Sequence, residues 1–176
     1  MAIATKTQYW NSRMNGTDPS DLSGTYNDSW TGSGGSASGG YWVITNGTWS
    51  ITPTTDAYTL FACLEYTTAP NSGEVLMRLD NGTHRVEVQS TGTNTSLSLV
   101  GATTATLTDL DLTLAEDEPV SLMLRLTLAA DGTAKLYKHE IIDDDDANDA
   151  FLTVTGSAGS GKAVRWGNTA GNVVYS

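Results

Sequence analysis

The chain of 176 residues holds one cysteine, Cys63, so an internal disulfide and a cysteine-rich metal site are both excluded. Inside a strand pattern such a cysteine reads as a small buried hydrophobe. Lysine and arginine number 9 against 20 aspartates and glutamates, a net charge of −11. So few cations release little counterion from a phosphate backbone, and nucleic acid is not an expected partner. An anionic membrane surface is excluded on the same ground. No apolar run approaches the ~20 residues that cross a bilayer as a helix. The start MAIATKTQYW lacks a basic segment followed by an apolar one, so no secretory signal is expected. With two histidines, His84 and His139, and one cysteine, a Ser/His/Asp or Cys/His set has little material. Strong helix signals are also missing. Threonine, serine, glycine and asparagine dominate the polar residues and favour strands and turns.

What is present is alternation. In Pro119 to Lys138, PVSLMLRLTLAADGTAKLYK, the residues Val120, Leu122, Leu124, Leu126 and Leu128 are apolar at a period of two. Ser121, Met123, Arg125 and Thr127 lie between them, so one face is buried and the other wetter. Asp131-Gly132 then turns the chain back into Thr133 to Lys138, with Leu136-Tyr137 near its end. Asp-Gly between two such runs is a strong hairpin signal, since both residues tolerate positive φ.

Before that hairpin, Met1 to Trp30 shows no clear period, and Tyr9, Trp10 and Tyr26 punctuate it. TGSGGSASGG reads as a flexible loop or short linker. Residues 1–40 are therefore expected as an N-terminal arm and Gly/Ser-rich loop, packed on the domain or on a neighbour. Residues 41–176 are expected as one domain. Tyr41 to Thr45 and Thr48 to Thr52 flank Asn46-Gly47 and predict a hairpin. Tyr58 to Tyr66 carries apolar groups on both faces, with Phe61 and Cys63 opposite Leu60, Ala62 and Leu64, and predicts a central strand. Glu74 to Leu79 and Thr83 to Gln89 flank Asp80-Asn81-Gly82 as a further hairpin. Short strands are expected at Ser96 to Val100, Phe151 to Thr155 and Ala163 to Trp166, and an edge strand or bulged segment at Thr106 to Leu114. Asn172 to Tyr175 starts a final strand that looks early for a closed sheet, so either completion of the edge by a partner chain or a sequence that is a piece of a longer one is expected.

An alternating strand, an Asp-Gly-Thr turn and a Leu-Tyr strand, followed by Val164-Arg165-Trp166-Gly167-Asn168, resemble the central hairpin of concanavalin A-like and laminin-G-like jelly rolls. The resemblance spans roughly Tyr58 to Asn168 and is one of pattern. It implies an all-β fold, a two-sheet antiparallel jelly-roll sandwich. The Thr/Gly/Asn-rich texture is also similar to small structural proteins of tailed phages, which implies a virion location. The alternative location is extracellular.

Gly156 to Ala163, GSAGSGKA, is one residue from a P-loop. Ala163 replaces the Ser or Thr that holds magnesium, and AVRW reads as a strand, so a strand connection is expected. Asp143, Asp145, Asp146 and Asp149 form the best metal candidate, with Asp131 or Asp80 as further ligands. Calcium, common in the lectins the chain resembles, is the cofactor such a site would use. The plain alternative is a solvated acidic loop. No strand shows the alternating acids of the related β-glucanases, and Glu87 stands alone. Aromatics carry more weight, because their faces stack on sugar rings. Trp30, Tyr41, Trp49 and Asn168 are the candidate glycan-binding residues, with core packing as the plain alternative for Trp42, Trp49 and Trp166.

The sequence thus predicts a non-enzymatic structural or appendage protein of a virus particle, one that recognises surface glycans. Its partners would be other virion proteins, copies of itself, or a cell-surface glycan. A calcium-dependent carbohydrate-binding module is the alternative, and a glycoside hydrolase the third reading.

Overall fold

The computed structural model describes residues 31–38, 41–53, 56–113, 122–140 and 152–175. Fifteen strands run through them. They are β1 (Thr31–Ser33), β2 (Ser36–Ser38), β3 (Tyr41–Ile44), β4 (Gly47–Ile51), β5 (Tyr58–Thr68), β6 (Val75–Asn81), β7 (His84–Ser90) and β8 (Leu97–Val100). There follow β9 (Thr104–Leu107), β10 (Leu122–Leu128), β11 (Thr133–Glu140), β12 (Leu152–Thr155), β13 (Ser157–Ala158), β14 (Lys162–Asn168) and β15 (Asn172–Tyr175). No helix forms among the described residues.

The strands make two antiparallel sheets packed as a sandwich. One runs β1-β4-β14-β6-β7-β8-β9, with β13 also paired to β7, and the other runs β12-β11-β10-β5-β15-β3-β2. Alternation explains the packing. Leu124, Leu126 and Leu128 from β10 and Leu60, Ala62 and Leu64 from β5 point inward, as do Leu79, Val86, Val88, Leu97 and Leu99 from the facing sheet. Trp49 and Trp166, on the neighbouring strands β4 and β14, stack inside the sandwich, ring centroids 6.5 Å apart and planes 20° apart.

The hairpin β10–β11 forms as expected, in the register Arg125↔Tyr137 and Leu126↔Leu136. So does β6–β7, turned by Gly82 at φ +90°. β5 is central, between β10 and β15.

Other expectations are corrected. Asn46-Gly47 does not close a hairpin, because β3 and β4 belong to opposite sheets. The dipeptide is a corner at which the chain crosses between layers. The Gly/Ser run crosses at the same place. Thr31–Ser33 pairs with β4 and Ser36–Ser38 with β3, so the expected loop is two edge strands. Gly34, at φ +92°, lies so close to Asn46 that an added Cβ would sit 2.2 Å from the Asn46 carbonyl oxygen. Only glycine admits two chains crossing that tightly. Thr106 to Leu114 is no continuous strand. Asp109 takes φ +59°, and pairing by β9 ends at Leu107. Leu110 and Leu112 are buried from an irregular segment. The final strand β15 is internal, between β5 and β3, and does not lie at an edge.

Candidate functional site

The candidate site is the outer face of the sheet that contains β5 and β10. The parity that sends Leu60, Ala62 and Leu64 inward sends Thr59, Phe61, Cys63, Glu65 and Thr67 outward. Phe61 is 50% exposed, the one large apolar side chain standing in solvent among the described residues. The ladder places Phe61 opposite Arg125, and Arg125 opposite Tyr137. The Arg125 guanidinium carbon lies 3.8 Å from the centre of the Tyr137 ring. Such a stack holds the cation flat over the ring and contributes ~0.5–1 kcal/mol at an exposed site. Three adjacent strands therefore present ring, guanidinium and ring in one row.

The neighbouring rows differ. On one side Thr59, Thr127, Lys135 and Thr153 stand in register and bring hydroxyls and an ammonium. On the other side Cys63 is opposite Met123. One step further along β5 is Glu65, only 7% exposed although it points outward. Its Oε2 is sealed from solvent and has no hydrogen-bond partner. Burial raises its pKa above the ordinary carboxylate value, and the nearby charge of Asp111 raises it further. Asp111 sits on a fixed segment. The Tyr66 amide donates to the Leu112 carbonyl at 2.5 Å, and the Leu112 amide donates to the Asn94 carbonyl at 2.9 Å. The Asp111 carboxylate accepts from the Thr113 amide at 3.1 Å.

The opposite outer face, on the sheet of β6 and β7, is built otherwise. Arg78 and Arg85 both address Glu87, at 2.7 and 3.7 Å. Gln89 donates to the same carboxylate at 2.7 Å.

The residues singled out from sequence fall apart in space. Trp49 is 4% exposed, and its ring nitrogen donates to the Gly34 carbonyl at 3.1 Å. It packs the core and offers no surface to a sugar. Asn168 is fully buried, and its amide nitrogen donates to the carbonyls of Ile44, Ala170 and Gly171, at 3.0, 2.9 and 3.4 Å. That amide ties β14 to β3, so it is a clamp between sheets. Tyr41 lies on β3. Trp30, Asp143, Asp145, Asp146 and Asp149 lie outside the described residues.

Asp80, expected as a further calcium ligand, is committed elsewhere. One carboxylate oxygen accepts from the Gly82 amide at 2.8 Å. The other accepts from the Ser160 amide and hydroxyl, at 2.9 and 3.2 Å. Asp131 caps its own turn, accepting from the Thr133 amide at 2.8 Å, which holds its pKa below the ordinary value. Among the described residues no three of His, Cys, Asp and Glu come together as a metal site. The P-loop-like stretch is a strand connection. Ser157–Ala158 pairs with β7, and Lys162 meets Asp56 at 2.5 Å.

Sequence reasoning passed over Phe61, Arg125, Tyr137 and Glu65 as site residues. The available signal was parity. On two central strands the positions opposite the leucines carried an aromatic and a cation, where polar small residues suffice for a solvated face.

No family model and no curated protein sequence matches the chain. Among solved structures it is similar to a cellulose induced protein, Cip1, at 18% identity and a TM-score of 0.44, over 85% of this chain and 84% of that one. At that identity and TM-score the likeness says nothing of what this chain binds.

Proposed function

We propose that the chain is a non-catalytic binding module that recognises a glycan on the outer face of the β5–β10 sheet. The observation that carries this reading is the cross-strand row Phe61, Arg125, Tyr137, with Phe61 half exposed. A sugar ring has an apolar C–H face and a rim of hydroxyls. Phe61 supplies a ring for the first, while Arg125, Lys135 and the threonines supply donors and acceptors for the second. The residues are held by ladders and not by loops, so little backbone freedom is lost on binding.

On a virus particle, the location implied by the sequence's texture, such a face would serve attachment to a host surface. A glycan array with calcium and again with EDTA tests the reading. Selective binding is expected, reduced at least tenfold in Phe61→Ala, the loss of one aromatic contact of about 1.4 kcal/mol. Binding that vanishes in EDTA would move the site to the acidic run from Asp143 to Asp149. Failure to bind any glycan would leave an assembly protein, to be tested by co-purification with other particle proteins.

A further inference from the structure

Charge is unevenly spread over this chain. It holds 9 lysines and arginines against 20 aspartates and glutamates. Yet the described outward positions of β10, β11 and β12, with Thr59 to Cys63 of β5, carry Arg125 and Lys135 and no carboxylate. Lys135 is the more informative of the two. Ala134 and Leu136 on either side of it are fully buried, so its side chain stands on the outer face, where it is half-buried. Its cross-strand neighbours are Thr127 and Thr153. On its own strand the same face carries Thr133 and Tyr137. The ion pairs given for the described residues join Arg78 and Arg85 to Glu87 and Lys162 to Asp56, and none of them reaches Lys135. Lysine often blocks unwanted pairing at a sheet edge, but β11 lies inside its sheet, between β10 and β12.

Lys135 and Arg125 are diagonal neighbours on adjacent strands, which sets their Cβ atoms about 7–8 Å apart. From Phe61 to Lys135 is two strand spacings and two residues, roughly 12 Å. A short oligosaccharide laid obliquely across the strands spans that distance and passes Arg125 on the way.

We propose that the glycan bound on this face is acidic: one sugar stacks on Phe61, the chain runs obliquely from β5 to β11, and the Lys135 ammonium receives a carboxylate or sulfate of the ligand. This rests on the glycan reading of the preceding subsection and adds the ligand's charge class, its direction on the sheet and the residue that sets its specificity. An ammonium is a compact point charge with three donors, which serves either anion. Its hydrogen bonds to an anion are roughly twice as strong as those to a sugar hydroxyl, so the charged sugar is preferred over its neutral counterpart. The net charge of −11 does not forbid such a ligand. At physiological salt, charges farther than about 8 Å are largely screened, and those on the face itself decide.

Titration calorimetry at pH 7 and physiological salt tests this with three tetrasaccharides. Those of α-1,4-galacturonate and β-1,4-mannuronate carry carboxylates, and that of κ-carrageenan carries sulfate alone. Each is compared with its neutral counterpart, carboxyl-reduced or desulfated. The wild type is expected to bind at least one acidic form about tenfold more tightly than its neutral counterpart, the worth of about one hydrogen bond to a charged group. Lys135→Gln is expected to remove that preference, and Lys135→Arg to keep it. Equal urea midpoints for both variants and the wild type confirm that they are folded. Equal binding of the charged and neutral forms overturns the charge class and leaves the glycan reading standing. So does an acidic preference that persists in Lys135→Gln, and so do hits on the glycan array that are all neutral. Acidic binding undiminished in Phe61→Ala moves the site off this face and overturns both readings. Failure to bind any of these sugars or any glycan on the array overturns both as well.

Discussion

The two outer faces of the sandwich carry arginine in opposite ways. On the β6–β7 face, Arg78 and Arg85 converge on Glu87, and Gln89 donates to the same carboxylate. Two guanidiniums and an amide share one carboxylate, all supplied by β6 and β7. On the β5–β10 face, Arg125 lies over Tyr137, and Phe61 beside it stays open to water. A stack on a ring orients the cation by its face, whereas a carboxylate holds it by its N–H edges. Under the proposed function, the difference separates a face that finishes the fold from one that meets a ligand.

That contrast can be broken by measurement. The core that both faces share sets the scale. Trp166→Ala removes a buried ring stacked on Trp49 and is expected to lower the free energy of unfolding by about 3–5 kcal/mol, read from the urea midpoint and slope. On the closed face, Glu87→Ala leaves two half-buried guanidiniums facing one another without their carboxylate, and a loss of about 1–3 kcal/mol is expected. On the open face, Phe61→Ser removes an exposed ring that supports no core contact. Stability is expected to change by no more than about 0.5 kcal/mol while glycan binding is lost. A Phe61→Ser variant as damaged as Glu87→Ala would make the open face structural and erase the comparison.

The raised pKa of Glu65 adds a smaller effect. Below the ordinary carboxylate value Glu65 is protonated in both folded and unfolded chains and has no influence. As pH rises toward its raised folded value, the unfolded chain ionises first and the fold loses stability. Glu65→Gln is therefore expected to gain over the wild type at pH 7 relative to pH 4 in parallel urea titrations.

The strands of this protein are legible because leucine alternation leaves little choice. β5, β6, β7, β10 and β11 each bury one face, and a register slip of one residue would expose it. Which strands share a sheet is not written in that way. Asn46-Gly47 has the chemistry of a hairpin turn, yet Ile44 and Trp49 bury themselves in opposite layers, and the core decides. The Gly/Ser run has the composition of a linker, but Gly32, Gly34 and Gly47 are small because two backbones pass within contact there. Trp49 and Trp166 look like sugar platforms in sequence, and only the packing of β4 on β14 shows them stacked on each other inside. Glu65 gave no sequence signal, since its parity on β5 points it outward and Asp111, whose charge it feels, lies more than forty residues later in the chain.

The position of β15 also orders events in time. It lies between β5 and β3, so β3 and β2 have no connection to the rest of their sheet until residues 172–175 arrive. A ribosome releases β3 well over a hundred residues before β15. The β10–β11 hairpin and the β6–β7–β8–β9 meander can form while the chain is still emerging, but β2 and β3 wait for β15. Its closure spans some 130 residues of intervening chain, the kind of long-range contact that makes folding slow, and a nascent chain arrested before Asn172 would display an unpaired strand edge.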